Sequence, residues 1–211
     1  MHHRIYIDRL FPNVREKNLQ YKLKIDYESI MYVTIPQYTS YINKIIIHHL
    51  NLLNLKPEDI TITDIMAGVG GDTIAFAHKF KHVNSIEQNN IRYNYLANNV
   101  CAYKLDNVKL YCDDFNDIIY NLDNQDVIFM DPPWGGKNYK TKNMIQLFIN
   151  DIEIEKYCKL FSNSKKIKCI PKIIVLKLPT NYDINFMKTF IDESKIYTYN
   201  LRKMLIVVIN I

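Results

Sequence analysis

A chain of 211 residues, 48% hydrophobic and 23% charged, can build one domain with a three-layer core and has the balance of an ordinary globular protein. No apolar run approaches the roughly 20 residues of a membrane span, and the opening MHHRIYIDRLF carries charges inside any would-be apolar stretch, so neither a membrane partner nor a signal peptide is expected. A net charge of +5 with a pI of 8.8 favours an anionic partner.

The cysteines, Cys101, Cys112, Cys158 and Cys169, form no CxxC pair, which predicts reduced thiols in an intracellular protein, cytoplasmic or nuclear. The histidines at 2–3, 48–49, 78 and 82 have no acid or cysteine cluster beside them, and no metal is expected. The excess of Ile, Asn, Lys and Tyr is what A+T-rich coding produces, so it speaks of the source, a virus or another A+T-rich genome, and not of function.

Residues 1–35 show no strong period and read as an irregular or helical extension lying on a domain of residues 36–211. After Pro36, apolar residues from Tyr38 to Leu50 recur at helical spacing, closed by Pro57. From residue 60 the rhythm alternates. Strands are expected at Ile60–Met66, Val83–Glu87, Val108–Cys112, Val127–Asp131 and Ile173–Leu178, with helices over Asp72–Phe80, 90–102, after Asp114, and near 183–193. Lys195–Asn200 and Met204–Ile209 read as a terminal hairpin. The expectation is an α/β fold, a mostly parallel seven-stranded sheet with a C-terminal antiparallel hairpin and helices on both faces.

The first strand leads into Asp64-Ile65-Met66-Ala67-Gly68-Val69-Gly70-Gly71-Asp72-Thr73. Glycines at a helix start let backbone N–H groups approach a ligand. A dinucleotide fingerprint wants GxGxxG, yet the third glycine is missing and Asp72 would repel a pyrophosphate. S-adenosylmethionine suits the turn better, because Asp64 or Asp72 can meet its ammonium. Glu87, at the tip of the second strand, is placed to accept both ribose hydroxyls. Asp114, after the third strand, can accept from the adenine amino group, with Phe115 or Cys112 flanking the ring. Acids at successive strand ends lie where open α/β sheets bind ligands.

After Val127-Ile128-Phe129-Met130 comes Asp131-Pro132-Pro133-Trp134-Gly135-Gly136. An acid, two prolines without N–H donors and a flat ring present acceptors to an exocyclic amino group beside a stacking surface. Lys137, Lys140 and Lys142 follow as phosphate candidates, and Lys165, Lys166, Lys168 and Lys172 form a second basic run.

With these motifs in hand, the chain resembles the trimethylguanosine synthase family, class I methyltransferases of Rossmann-like fold that act on N2 of the 7-methylguanosine RNA cap. The family's DAFCGVGGNT is similar to DIMAGVGGDT here, and its DVVFLSPPWGGPDY to DVIFMDPPWGGKNY. Lys24-Ile25-Asp26-Tyr27-Glu28 to Val33-Thr34 resembles its KLDREGWFSVT, and Leu178-Pro179-Thr180-Asn181 its FLPRN. The resemblance implies that Thr34, Asp64, Glu87 and Asp114 hold the methyl donor, with Ala67, Gly68, Gly70, Asp72, Thr73, Gln88, Phe115 and Asp131 completing that site. It implies catalysis by Asp131, Pro132 and Trp134, with Trp134 stacking on the cap base. Asn99 and Phe11 are implied as further substrate contacts, Phe11 closing over the site unless it packs in the core. The expected product of the donor is S-adenosylhomocysteine, and the expected partner is a 7-methylguanosine-capped RNA or cap nucleotide, bound by a monomer.

The departures are Asp131 for the family's Ser, Ile30-Met31-Tyr32 for its Trp-Phe-Ser, and Thr180 for its Arg. Asp before Pro-Pro also occurs in N6-adenine and N4-cytosine methyltransferases of DNA or RNA, which stand as an alternative. A non-catalytic cap-binding protein is the second alternative. One or two methyls added is left open.

Overall fold

A computed structural model describes residues 7, 9–12, 18–163, 165 and 167–211, excluding the side chains of residues 137 and 163. His2, His3, Lys166 and the Lys137 side chain therefore lie outside the described residues. The strands order as β3-β2-β1-β4-β7-β9-β8 in one seven-stranded sheet, and the chain divides into two compact units, Met1–Ile119 and Tyr120–Ile211.

In the first unit, β1 (Thr61–Asp64), β2 (His82–Ile86) and β3 (Val108–Tyr111) run parallel, with Ile62 opposite Val83 and Val83 opposite Val108. A short α1 (Ser29–Tyr32) precedes α2 (Pro36–Leu52), which starts on a proline whose missing N–H costs a helix nothing there. Ile42, Ile45, Ile46 and Leu50 bury one stripe of α2, and Asn43 Nδ2 donates to Ala75 O of α3 (Gly71–Ala77) at 3.0 Å. The end of α3 leaves carbonyls that Asn107 Nδ2 satisfies at Ala77 and Phe80, 2.9 and 3.1 Å away. Then follow α4 (Asn90–Ala102), N-capped by Asn89, and α5 (Phe115–Ile118), N-capped by Asp114.

In the second unit, β4 (Val127–Met130) and β7 (Ile173–Leu178) are parallel and wholly buried. The chain ends as expected: β9 (Leu205–Asn210) runs antiparallel to β7 and pairs with β8 (Ile196–Asn200). Between β4 and β7 lies structure the strand count does not anticipate. β5 (Phe148–Ile149) and β6 (Ile152–Glu153) form a hairpin that leads directly into α6 (Ile154–Asn163). Ile154, Tyr157, Cys158 and Phe161 bury the inner face of α6 at helical spacing. The last helix is α7 (Ile184–Lys188).

The hairpin turn is Asn150-Asp151, with φ of 50° and 61° at the two central residues. Both left-handed positions fit the two-residue turn that favours Asn-Gly. Asp151→Gly should therefore raise stability by about 0.5–1 kcal/mol. The check is a higher urea midpoint at unchanged slope.

Candidate active site

The first unit carries the glycine turn. Ala67 donates its N–H to Ile86 O at 3.0 Å and accepts from Gly70 N at 2.9 Å, which closes a tight turn after β1. Gly68 and Gly70 have φ of 55° and 97°, in the left-handed region that favours glycine. A Cβ built on Gly68 would meet nothing within 4 Å, so open space lies over that point of the turn. Gly71 answers a different need, since a Cβ there would come within 2.5 Å of Val33 Cγ2 and 3.4 Å of Thr34 O.

That approach brings Thr34 to the turn. Its Oγ1 donates to Asp72 Oδ2 at 2.6 Å, tying the upstream motif to the first turn of α3. Asp64 is buried and accepts from Thr73 Oγ1 at 2.7 Å, and Ser85 Oγ lies 2.8 Å from the same hydroxyl. Glu87 accepts from Gly68 N and Asn89 N, each at 2.8 Å, so it is oriented by the backbone on both oxygens. Burial pushes its carboxyl above the usual carboxylate range, against the pull of those N–H groups and of Arg92. Gln88 beside it is exposed. Asp114 Oδ1 accepts from Asn116 N and Nδ2, both at 2.9 Å. Of the two candidates to flank an adenine, Phe115 is buried and Cys112 is exposed.

Two of the expected substrate contacts lie inside the protein. Asn99 is fully buried, and its amide is spent on the protein. Nδ2 donates to Lys24 O at 2.8 Å and Val69 O at 2.9 Å, while Oδ1 accepts from Lys24 N at 2.7 Å and from Asn98 Nδ2 at 3.2 Å. It is a strap from the upstream motif to the glycine turn. Phe11 is 1% exposed, packed in a cluster with Leu10, Leu19, Leu23, Val69, Ile74 and Tyr103, so it supports the turn from within rather than closing over a ligand. Arg92, not anticipated, reaches Asp26 at 3.6 Å and Glu28 at 2.7 Å.

The second unit carries Asp131-Pro132-Pro133-Trp134. Pro132 is buried, Pro133 exposed, and Trp134 half-buried. The indole is held on two sides. Nε1 donates to Lys177 O at 3.2 Å, and the Tyr139 ring meets it edge-on with centroids 5.3 Å apart at 86°. Asp131 Oδ2 accepts from Lys177 Nζ at 2.5 Å. Burial raises the Asp131 carboxyl above its ordinary range, and the Lys177 ammonium opposes that rise. Gly135 and Gly136, φ 83° and 69°, turn the chain into the loop that carries Tyr139 and Lys140. Lys140 Nζ lies 5.7 Å from the Tyr139 ring centroid. Asn181 of the LPTN run straps that loop, its Nδ2 donating to Tyr139 O and Lys142 O at 2.8 Å each. In the second basic run, Lys168 and Lys172 are paired with Asp123 and Asp126. That leaves the Lys140 loop the better anion candidate.

Lys177 and Tyr139 were not singled out from the sequence. Lys177 was detectable as the one charge in the apolar run Ile173–Leu178; Tyr139 was detectable as the tyrosine that closes the run DVIFMDPPWGGKNY.

Sheet order, glycine turn and strand-end acids define a class I S-adenosylmethionine-dependent methyltransferase. A putative methyltransferase from Porphyromonas gingivalis W83 has the same fold, with a TM-score of 0.60 and 18% identity over 90% of this chain and 44% of that one. Residues 60–207 match the RNA cap guanine-N2 methyltransferase family, and the chain belongs to that family. It is 37% identical to uncharacterized protein L320 of Acanthamoeba polyphaga mimivirus over 222 residues, 95% of this chain and 83% of that one. It is 28% identical to the trimethylguanosine synthase of Schizosaccharomyces pombe over 172 residues, covering 79% of this chain and 66% of that enzyme.

The methyl donor of this fold and family is S-adenosylmethionine, and the residues present fit it. Gly68 leaves room over the turn, and Glu87 is held ready by two N–H groups. Among the described residues, no group of three or more His, Cys, Asp or Glu is placed to hold a metal, and no helix is long and apolar enough to cross a membrane.

Replacing Asn99 by Ala leaves the Lys24 and Val69 groups unpaired. It should cost about 2–3 kcal/mol of stability by urea unfolding, without changing the nucleobase affinity of the folded fraction. Lost base affinity at unchanged stability would restore Asn99 as a substrate contact.

Proposed function

We propose that this protein transfers a methyl group to the exocyclic N2 of a 7-methylguanosine RNA cap, giving a di- or trimethylguanosine cap. The observation that carries the reading is the Trp134 indole, held by Lys177 O and Tyr139 yet only half-buried, with the Asp131 carboxylate two prolines before it. Family membership supports the same substrate.

Bound S-adenosylmethionine supplies an electrophilic sulfonium methyl and leaves as S-adenosylhomocysteine. In-line transfer of this kind gains mainly from positioning and local electrostatics. Guanine N2 is a poor nucleophile because its lone pair is delocalised into the ring. Asp131 and the Pro132 carbonyl accept its N–H bonds and favour the pyramidal form. As the N–C bond forms, the positive charge on nitrogen is met by Asp131, which takes the proton. Trp134 stacks on the base, and indole favours the cationic 7-methylated purine by roughly 0.5–2 kcal/mol. Thr34, Asp64, Asp72, Glu87 and Asp114 serve the donor. Lys140, with Lys137, serves the triphosphate, which makes binding salt-dependent.

One observation favours a second reading, an uncharged adenine or cytosine amino group in DNA or RNA. Lys177 Nζ already lies over the Trp134 ring, 5.8 Å from its centroid, and a cation there weakens the ring's hold on another.

Incubation with the methyl donor and either 7-methylguanosine triphosphate or an unmodified oligonucleotide, read by mass spectrometry, separates the two. Methylation of the cap nucleotide is expected; methylation of the oligonucleotide alone would overturn the cap reading. Trp134→Ala should lose about 1–3 kcal/mol of base binding while calorimetry shows donor affinity unchanged. Equal methylation by mutant and wild type would remove Trp134 from the site. Glu87→Gln should do the reverse, weakening the donor by about tenfold or more and leaving quenching of Trp134 fluorescence by the cap nucleotide intact. Trp134 is the chain's sole tryptophan, so that signal is unambiguous.

A further inference from the structure

Lys177 sits in β7 among Ile173, Ile174, Val175, Leu176 and Leu178, all buried, and is itself only 3% exposed. It touches both working side chains of the Asp-Pro-Pro-Trp turn. The ammonium binds Asp131 Oδ2 at 2.5 Å, and the backbone oxygen accepts from Trp134 Nε1 at 3.2 Å. Asp131 Oδ1 has no hydrogen-bond partner among the described residues.

Asp131 and Lys177 lie 46 positions apart in the chain and meet as an ion pair, so the strand after the turn holds the turn's own carboxylate.

We propose that Lys177 is the positioning residue of the amino-acceptor site, its ammonium fixing the Asp131 carboxylate by one oxygen so that the other faces the amino group to be methylated. The inference rests on the reading of Asp131 and Trp134 given above, and extends to either nucleobase. Once the N–C bond has formed and the S–C bond has broken, the proton on nitrogen passes to Asp131. A carboxylate can take it only if it is ionised beforehand, and the Lys177 ammonium bound to one oxygen favours that form. Among the described residues, Lys177 is the charged group that acts on Asp131; Tyr139 and Lys140 of the neighbouring loop stand against Trp134 and each other.

The test uses the full chain with whichever probe the wild type methylates, 7-methylguanosine triphosphate or an unmodified oligonucleotide. In Lys177→Met the carboxyl loses its counter-charge and binds its proton more tightly. The acid limb of the kcat profile should then move up by about 1–3 pH units, with kcat at neutral pH down about a hundredfold and donor affinity by calorimetry unchanged. A Lys177→Met profile superimposable on the wild type would overturn the inference and leave the substrate reading standing. A wild type inert on both probes would overturn the substrate reading and the inference together.

Should Lys177→Met fail to fold, Lys177→Arg supplies the second arm. A guanidinium keeps the counter-charge on Asp131, so the acid limb should stay at its wild-type position. An acid limb moved up by about 1–3 pH units with the charge retained would overturn the role of the ammonium.

Discussion

An ammonium inside an apolar strand has to have a counter-charge, and in this protein that requirement falls on the working carboxylate. Lys177 is as buried as the isoleucines beside it, and its partner is Asp131. Removing Asp131 would leave the Lys177 ammonium buried and unpaired, at a cost of about 3–5 kcal/mol. Replacing both together with neutral residues of similar size is nearly free by comparison. The turn after β4 is therefore constrained from the neighbouring strand as much as by its own prolines. The same lysine's carbonyl orients the indole, so both side chains of the proposed acceptor site share one anchor.

The first unit solves a related problem by other means. A glycine turn with two left-handed residues is conformationally permissive and does not hold a shape unaided. Here it is clamped from three sides. Glu87 accepts from Gly68 N, Asn99 accepts the upstream chain at Lys24 and donates to Val69, and Thr34 donates to Asp72. Phe11 and its cluster fill the space beneath Val69 and Ile74. Thr34, Asp72 and Glu87, expected as donor contacts, also hold the turn itself in place. Preorganisation of that kind is what a transfer reaction dominated by positioning requires.

Much of the fold was legible, for identifiable reasons. Val127–Met130 and Ile173–Leu178 are short continuous apolar runs bounded by turn residues, and they are the buried central strands. The glycine turn, Glu87 and Asp114 could be placed because each follows a short strand in the alternating strand–helix rhythm. What escaped reading lacked a long enough pattern. β5 and β6 have two residues apiece, too few for alternation to register, although Asn150-Asp151 between them was a usable turn signal. In α6 the apolar spacing was present but followed a hairpin that had not been recognised. Asn99 shows a different limit. A motif match gives position but not orientation, and only the structure shows its amide turned toward Lys24 and Val69. Tyr139 is placed by a loop that Asn181 straps from a distant segment, a tertiary constraint with no local trace.

The Asp131–Lys177 pair also bears on the proposed recognition of a base. It sets one negative and one positive charge side by side, so a cationic purine would gain little from the net charge of the pair. The Lys177 ammonium lies over the Trp134 ring and weakens that ring's preference for a cation, whereas the carboxylate offers an acceptor to any amino group. On the proposed reading, discrimination between substrates would then draw on contacts beyond the base, and the Lys140 loop, which meets Trp134 through Tyr139, is the candidate for them.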